Sequence, residues 1–561
     1  MAPSKAHAKA FSMLQRSHQR PAQPPRPALL PARGSMGWLA CYALLACLLV
    51  PVQAIAQDYI EQVNARLRSI PTDKRADLVL LPALANMDAP PAVVASTEAG
   101  RPSAAMLLAP DMRGWDQAAQ WAAAEPQQAA LRALDTITKQ AEYLQAMVFA
   151  QPYGIDGVPV DLVRAGLYTE LGDPPTLATA EHRYLPRLTD LAILVHVEAT
   201  RLADQGRPAD GIDALVDLMH LGRMMADREF YEEVAWGYRT MIDSAVRIRD
   251  VAYIDYTQDT PQLTSEQLKG IIDRLDTSRK GFLLIDRLRL PTGDYLGALQ
   301  ILERIFDQRG RPTERFAPTM SALTTADRPL RRFGQAGMWR QLAAVHQNGL
   351  ETRKALDGAY NDWAQLWTQN DFAPGHKLVR DYARLNPITQ GVVLAILPDM
   401  SGLFNERRIL KTEIAGTRTA LGVLAYKARL RTLPVSLASL RPQILPEREI
   451  DPFGPIRDTR LRPLVSEFIY LVPRRDLPVD PTVGPQPLPI DVFMLNQQNF
   501  GVGVGMDPEE FVIYSTGPDG DDDTARRVRE NTRALYDGDY LIWPPVLSLY
   551  REYLKAQGQL R

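Results

Sequence analysis

The chain has 561 residues, of which 46% are hydrophobic and 23% charged, an ordinary globular balance with length for about two to four domains. Residues 1–56 hold Lys5, Lys9, Arg16, Arg20, Arg26 and Arg33 and no acid; without them 58 basic residues face 66 acidic ones, which excludes nucleic acid as the main partner. Both cysteines, Cys41 and Cys47, lie in that same segment, so the remainder has neither disulfides nor thiol chemistry.

The first 35 residues are basic and Pro-rich. An apolar run from Trp38 to Val50 follows, of signal-peptide length and short for a membrane span. Pro51 ends it, and Ala54-Ile55-Ala56 offers small residues at alternate positions, as signal peptidase requires. The expectation is cleavage after Ala56, a mature chain from Gln57 without a membrane span, and a periplasmic or secreted location. Leu44-Leu45-Ala46-Cys47 is a loose lipobox and supplies the alternative of a lipid anchor at Cys47, against which Leu48-Leu49-Val50 continues the apolar run.

Residues 57–411 read as a helical body. Ile60, Val63, Leu67 and Ile70 recur at helical spacing until Pro71. Leu134, Ile137, Ala141, Leu144 and Val148 predict one helix reaching Pro152. Leu188, Leu191, Val195, Ala199 and Leu202, then Gln205-Gly206-Arg207-Pro208, then Ile212, Leu215 and Met219 describe an antiparallel helical hairpin, with Gly211 near the crossing. It resembles one tetratricopeptide-type hairpin, without a second copy at a fixed period. Helices are expected over Phe230–Asp255, from the capping box Thr264-Ser265-Glu266-Gln267, over Tyr295–Gln308 and over Gln335–Gln369, with a surface loop at 310–332.

Near residue 412 the pattern changes. A helix is predicted over Thr412–Arg431, a short helical turn at Pro434–Leu440, and strands at Phe468–Val472, Ile490–Leu495, Phe511–Ser515 and Tyr540–Trp543. Gly501-Val502-Gly503-Val504-Gly505 reads as a flexible loop. The fold class expected is mainly α: an irregular helical array with helical hairpins, then a small α+β module with an antiparallel sheet at 412–561.

Four carboxylates, Asp519, Asp521, Asp522 and Asp523, fall within five residues. Such density is tolerated when the group is well solvated or bridged by a cation, and oxygen ligands suit a hard ion such as calcium. Asp519, Asp521, Asp523 and Glu530 even occupy positions 1, 3, 5 and 12 of an EF-hand-like loop, but Thr524 stands where glycine is expected. Arg526, Arg527 and Arg529 leave open the alternative of a solvated acidic turn balanced by arginines. Asp451-Pro452-Phe453-Gly454 reads as a structural turn: Asp caps it, Pro fixes φ, Phe packs and Gly allows the reversal.

Taken in order, Asp451-Pro452-Phe453-Gly454, Tyr514-Ser515-Thr516-Gly517-Pro518-Asp519-Gly520-Asp521-Asp522 and Asp537-Gly538-Asp539-Tyr540-Leu541-Ile542-Trp543 resemble the C-terminal half of the major pseudopilin of type II secretion. The whole chain further resembles exported bacterial proteins with a helical N-terminal part and this tail. The resemblance implies a calcium site at Asp519, Asp521, Asp522, Asp523, Asp537 and Asp539. It does not imply a pilin, because the helix from Thr412 carries Lys427, Arg429 and Arg431 and is too polar to span a membrane. The stretches 473–507 and 524–536 are insertions relative to that pattern.

Catalytic signatures are absent from the sequence. The histidines after residue 57 (His182, His196, His220, His346 and His376) form no His-Glu-x-x-His, and there is no Gly-x-Ser-x-Gly, phosphate loop or Rossmann glycine pattern. Glu232 and Glu233 stand among Phe230, Tyr231, Trp236 and Tyr238; Glu232 or Glu198 could serve a periplasmic hydrolase acting on glycans, or these residues could simply sit on helices that pack on their neighbours. The leading expectation is a non-enzymatic envelope protein that binds an unidentified protein partner and has a calcium-stabilised C-terminal module, with a link to secretion.

Overall fold

A helical hairpin and the long helix after it form the centre of the molecule. In the computed structural model, α1 (Leu185–Asp204) and α2 (Pro208–Met225) are the two arms. Gly206 makes the bend at φ +74°, where a Cβ would be strained. Pro208 opens α2 at a position where its missing N–H is harmless. A Cβ on Gly211 would meet the Ala199 carbonyl at 2.8 Å, so this glycine lets the arms cross closely. The next helix, α3 (Tyr231–Tyr256), packs along α2. Gly222 and Gly237 face each other there, and a Cβ on Gly237 would come within 2.5 Å of the Gly222 oxygen.

The structure describes residues 58–558 apart from 96–102, 141, 143–144, 279–280, 324–338, 370–379, 455–466, 479–481, 483–487, 494–500, 508, 518–521, 523, 526 and 532–534. The apolar run Trp38–Val50, Ala54-Ile55-Ala56 and Cys47 therefore lie outside the described residues. Residues 58–561 fall into one compact unit. Among the described residues no helix is long and apolar enough to cross a membrane.

The fold is mainly helical with a small antiparallel sheet near the C-terminus. Tyr59–Arg68 is helical, as its apolar spacing predicts. The helix expected to reach Pro152 instead spans Glu125–Thr138. The helix stops at Thr138, whose hydroxyl donates to Asp217 Oδ1 at 2.6 Å, and Val148 joins Arg75 in an isolated β-bridge. The helix α4 (Ser265–Arg274) starts on the expected capping box, with Gln267 N donating to Thr264 Oγ1 at 3.2 Å and Thr264 N to Gln267 Oε1 at 2.9 Å. The surface loop expected at 310–332 contains a helix at Phe316–Ala322. The stretch expected as one helix from Gln335 holds two, Trp339–Val345 and Gly349–Trp367, the second capped by Asn348.

The long helix α5 spans Ser401–Leu430 and so begins well before Thr412. It packs against α3 and α4. Its buried seam is polar: Arg249 of α3 pairs with Glu413 at 2.6 Å and donates to Thr417 Oγ1 at 2.6 Å, while Tyr540 hydrogen-bonds Glu413. Arg418 reaches Glu449 and the Ile272 carbonyl, each at 2.6 Å.

Two sheets follow. Strands β1 (Ile469–Leu471), β2 (Leu488–Phe493), β3 (Gly501–Met506), β4 (Val512–Ser515), β5 (Arg527–Asn531), β6 (Leu535–Gly538) and β7 (Tyr540–Trp543) divide between them. One sheet has the order β1-β4-β7 and is antiparallel; the other has the order β3-β2-β5-β6, with a parallel pair between β2 and β5. The segment Gly501–Gly505, expected as a loop, is thus a strand paired with β2. In the first sheet Ile513 and Trp543 face the helical core, and Val512, Tyr514 and Leu541 face a smaller second core. A final helix, α6 (Val546–Ala556), closes both: Leu549 enters the second core, and Arg551 reaches Asp250 of α3.

Candidate functional site

The three motifs that carry the pseudopilin resemblance meet around strand β4. Alternation along a strand sends neighbouring side chains to opposite faces, and β4 uses both. On one face Asp451 is buried at 2% exposure; its Oδ1 accepts the Phe453 amide and the Ser515 hydroxyl, each at 2.9 Å. Gly454 N donates to the Asp451 carbonyl, and Thr516 Oγ1 to the Phe453 carbonyl at 3.4 Å. Arg408 of α5 lies over the Phe453 ring at 4.3 Å and donates to the Pro452 carbonyl. The Asp451–Gly454 turn is thereby docked onto the end of β4, where the acidic loop begins.

On the opposite face Tyr514 donates its hydroxyl to Asp522 Oδ1 at 3.0 Å, and Thr524 N donates to the same oxygen at 2.9 Å. Thr524 and Ala525 both adopt left-handed φ, 60° and 54°, which turns the Ala525 amide onto Asp539 Oδ2 at 2.7 Å. Asp539 is fully buried and precedes β7, and Asp522 is exposed. Burial first, then Asp522 and then Asp539, push the Tyr514 phenol far above its ordinary pKa. The field at this ring is negative, and Asp522 has no basic partner among the described residues.

The expected ligand set is thus partly placed. Asp522 and Asp539 come to one side of the sheet around Tyr514, while Asp451 lies on the other side. Asp537 is in β6, whose side chains lie outside the described residues, as do Asp519, Asp521 and Asp523. Among the described residues no three His, Cys, Asp or Glu side chains form a group able to hold a metal. The donors that are described suit a hard cation: both are carboxylates, each oriented by a backbone amide. No family model, no curated protein and no solved structure matches this chain.

The carboxylates considered for hydrolysis occupy other settings. Glu198 is 5% exposed and holds Arg201 through two hydrogen bonds of 2.7 Å. Glu232 is exposed, whereas its neighbour Glu233 is fully buried. The aromatics of this stretch pack inward: Phe230 stacks edge-on against Tyr153, Tyr238 is buried, and Trp236 donates to Thr189 Oγ1 at 3.1 Å.

Sequence reasoning singles out Glu233 beside Glu232 but misses what surrounds its carboxylate. Its carboxylate takes Arg228 Nε at 2.7 Å, the Tyr153 hydroxyl at 2.7 Å, the Tyr184 hydroxyl and the Phe230 amide at 3.3 Å, with His182 Nδ1 at 3.8 Å. Arg228 in turn lies 4.4 Å over the Tyr153 ring. The pair Arg228/Glu233 is visible in the sequence at a spacing of five, but its tyrosine partners come from irregular segments that no periodicity marks.

Asp451 gives a pH-dependent signature. Burial raises its pKa to about 6, against the opposing pull of the Phe453 amide, Ser515 and Arg408. An unfolded aspartate releases its proton near pH 4. The folded chain therefore holds a proton that the unfolded chain has lost between about pH 4 and pH 6, and stability falls as pH rises through that window. Asp451→Asn keeps the Oδ1 acceptor and removes the buried charge. It is expected to stabilise the protein at pH 7 by up to about 3 kcal/mol, since a tenfold change in proton affinity is worth about 1.36 kcal/mol, and to change little below about pH 4. Urea denaturation at the two pH values measures the difference.

Proposed function

We propose that this chain is an exported envelope protein of the binding or scaffold kind, linked to secretion, whose C-terminal region is stabilised by calcium. Export rests on the apolar run Trp38–Val50 and Ala54-Ile55-Ala56. The pseudopilin-like reading rests on the motif order from Asp451 to Trp543. The observation that carries the calcium reading is the convergence of Asp522 and Asp539 on Tyr514, beside a loop that adds Asp519, Asp521 and Asp523 in sequence. In this reading Asp522 and Asp539 hold the ion together with carboxylates of the acidic loop and Asp537. Calcium supplies the positive charge that ties the loop to β7, and Tyr514 and Ala525 orient the two carboxylates.

Thermal melting with calcium and with a chelator tests the reading. A ligand bound only by the folded state adds about 2.7 kcal/mol at a hundredfold excess over its Kd, and extracellular-type sites fill at about 10⁻⁴–10⁻³ M calcium. Calcium at about 1 mM should raise the Tm, and magnesium should raise it less, because magnesium dehydrates reluctantly. Asp522→Ala should abolish the calcium response while lowering the melt in chelator only slightly, since Asp522 is exposed. Equal melting in calcium and in chelator would leave a solvated acidic turn.

A further inference from the structure

A cavity of about 440 Å³ opens where three elements meet: the end of α3, the start of α4 and the last turns of α5. Its floor is apolar, with Leu263, Leu268, Leu424 and Ala428 among the lining residues. Its rim is basic. Lys427, Arg429 and Arg431 all line it from one side, although the chain beyond residue 56 carries a net excess of acid.

Two of these cations, Arg429 and Arg431, are not neutralised locally. Lys427 donates to the Tyr256 hydroxyl at 2.5 Å and lies 4.3 Å over the same ring; burial lowers its pKa, against the pull of Glu510 from the strand side. Arg429 and Arg431 are exposed, and their guanidiniums have no carboxylate or carbonyl partner among the described residues. Two acids also line the cavity. Asp255 is 3% exposed, and its two oxygens accept the Gln262 and Leu263 amides at 2.8 and 3.0 Å, which fixes the loop that walls the cavity. Glu266 is exposed in the first turn of α4, where the helix dipole favours it.

Cations in a last helical turn are common, because they complement the carbonyl end of the helix. Three features go beyond that role here. The cations border a cavity rather than open surface, the cavity floor is apolar, and Leu430 and Val435 next to them are 51% and 78% exposed. Apolar surface bordered by a pair of exposed guanidiniums without a carboxylate partner, here Arg429 and Arg431, is the arrangement that recognises a segment of the opposite sign carrying an apolar anchor.

We infer that this groove is a docking site for an acidic peptide segment, its carboxylates meeting Arg429, Arg431 and Lys427 and one apolar side chain entering the cavity. This names the partner chemistry for the binding role proposed above and rests on that role, but it uses no residue of the acidic loop.

Fluorescence anisotropy of the full-length protein with labelled peptides of about ten residues, an alternating Glu/Leu sequence and its Lys/Leu counterpart, tests it. The acidic peptide should bind and the basic one should not. Binding should weaken at least about tenfold in the double variant Arg429→Glu/Arg431→Glu, and also on raising salt from about 0.05 to 0.5 M, where screening shortens to a few ångströms. Because both arginines are exposed, the double variant should stay folded and melt only a few degrees below the parent protein, the cost of reversing charge at the helix end. Equal affinity for both peptides, affinity unchanged in the double variant, or displacement of the acidic peptide by inorganic phosphate at equal concentration would overturn the assignment. If the peptide fails while the calcium response of the melt persists, the groove is lost and the calcium reading stands; the reverse outcome separates them equally.

Discussion

Glu233→Ala is expected to destabilise the protein by about 3–5 kcal/mol, the usual consequence of leaving one partner of a buried ion pair uncompensated. Arg228 is 2% exposed and would keep its charge with no carboxylate beside it. The Tyr153 and Tyr184 hydroxyls and the Phe230 amide would lose their shared acceptor at the same time. Loss on that scale is a large fraction of the roughly 5–15 kcal/mol that typically holds a domain together. The pH dependence has a definite sign. Burial raises the Glu233 pKa, but the Arg228 charge, His182 and the hydrogen bonds from Tyr184 and Arg228 outweigh it and hold the carboxyl below its ordinary range. A lowered acid contributes stability above its unfolded pKa, about 4.3, and loses it as pH falls through the folded value. The gap between the parent protein and Glu233→Gln, followed by denaturant midpoint, should therefore be widest at neutral pH, begin to narrow near about pH 4 and close only below the depressed folded value. A constant gap across pH would mean that Glu233 acts through packing alone.

Asp250→Ala is expected to do at least as much damage, at or above the upper end of the same range of about 3–5 kcal/mol, because one carboxylate there serves two buried cations. Arg551 of α6 contacts it through Nη1 at 2.8 Å and Nη2 at 2.9 Å; Arg247 and the Ser548 hydroxyl also bind it. Burial and then repulsion from Arg551 already pull the Arg247 pKa well down, and burial lowers Arg551 to about 10. Without Asp250 the two guanidiniums face each other unbalanced. Arg551→Leu added to Asp250→Ala should recover part of the loss by removing that repulsion. Limited proteolysis should release residues after Trp543 in Asp250→Ala faster than in the parent protein. A variant that melts like the parent and resists cleavage would show that α6 is held by its apolar contacts instead.

What the sequence discloses follows from the range of the forces involved. The hairpin α1–α2 is readable because its apolar stripes and the Gly206-Arg207-Pro208 bend are local, and the start of α4 because a capping box closes within three residues. Strand β7 is bounded as expected at Tyr540–Trp543. Gly501–Met506 is legible in principle: Val502 and Val504 alternate with glycine at the period of a strand. The glycines suggest a loop, and pairing with β2 decides otherwise. Helix α6 carries the spacing Val546, Leu549, Tyr550 and Tyr553, a helical stripe outside the elements expected from sequence. The settings of Glu233 and Asp250 are not legible, because their partners lie up to about 300 residues away and obey no spacing rule. At the acidic loop, sequence supplies the carboxylates, but the division of Asp451 from Asp522 and Asp539 by the two faces of β4 needs the register of the sheet.

The grip of α6 on the front of the chain bears on how the protein is made. Arg551 donates to the Met106 and Leu107 carbonyls at 3.0 and 3.1 Å, and Lys555 pairs with Asp111 at 2.8 Å. Ribosomes emit residues in order, at about 5–20 per second, so Asp250 waits for its second cation until Arg551, 301 residues further on, has appeared. The nascent chain has Arg247 alone at that carboxylate, and the second core lacks Leu549. A helix whose closing contacts are written about 300 residues further along the chain stays loose over that interval of its synthesis. Messages truncated before Arg551 should accordingly yield chains that never reach the closed state and are cleared by proteases.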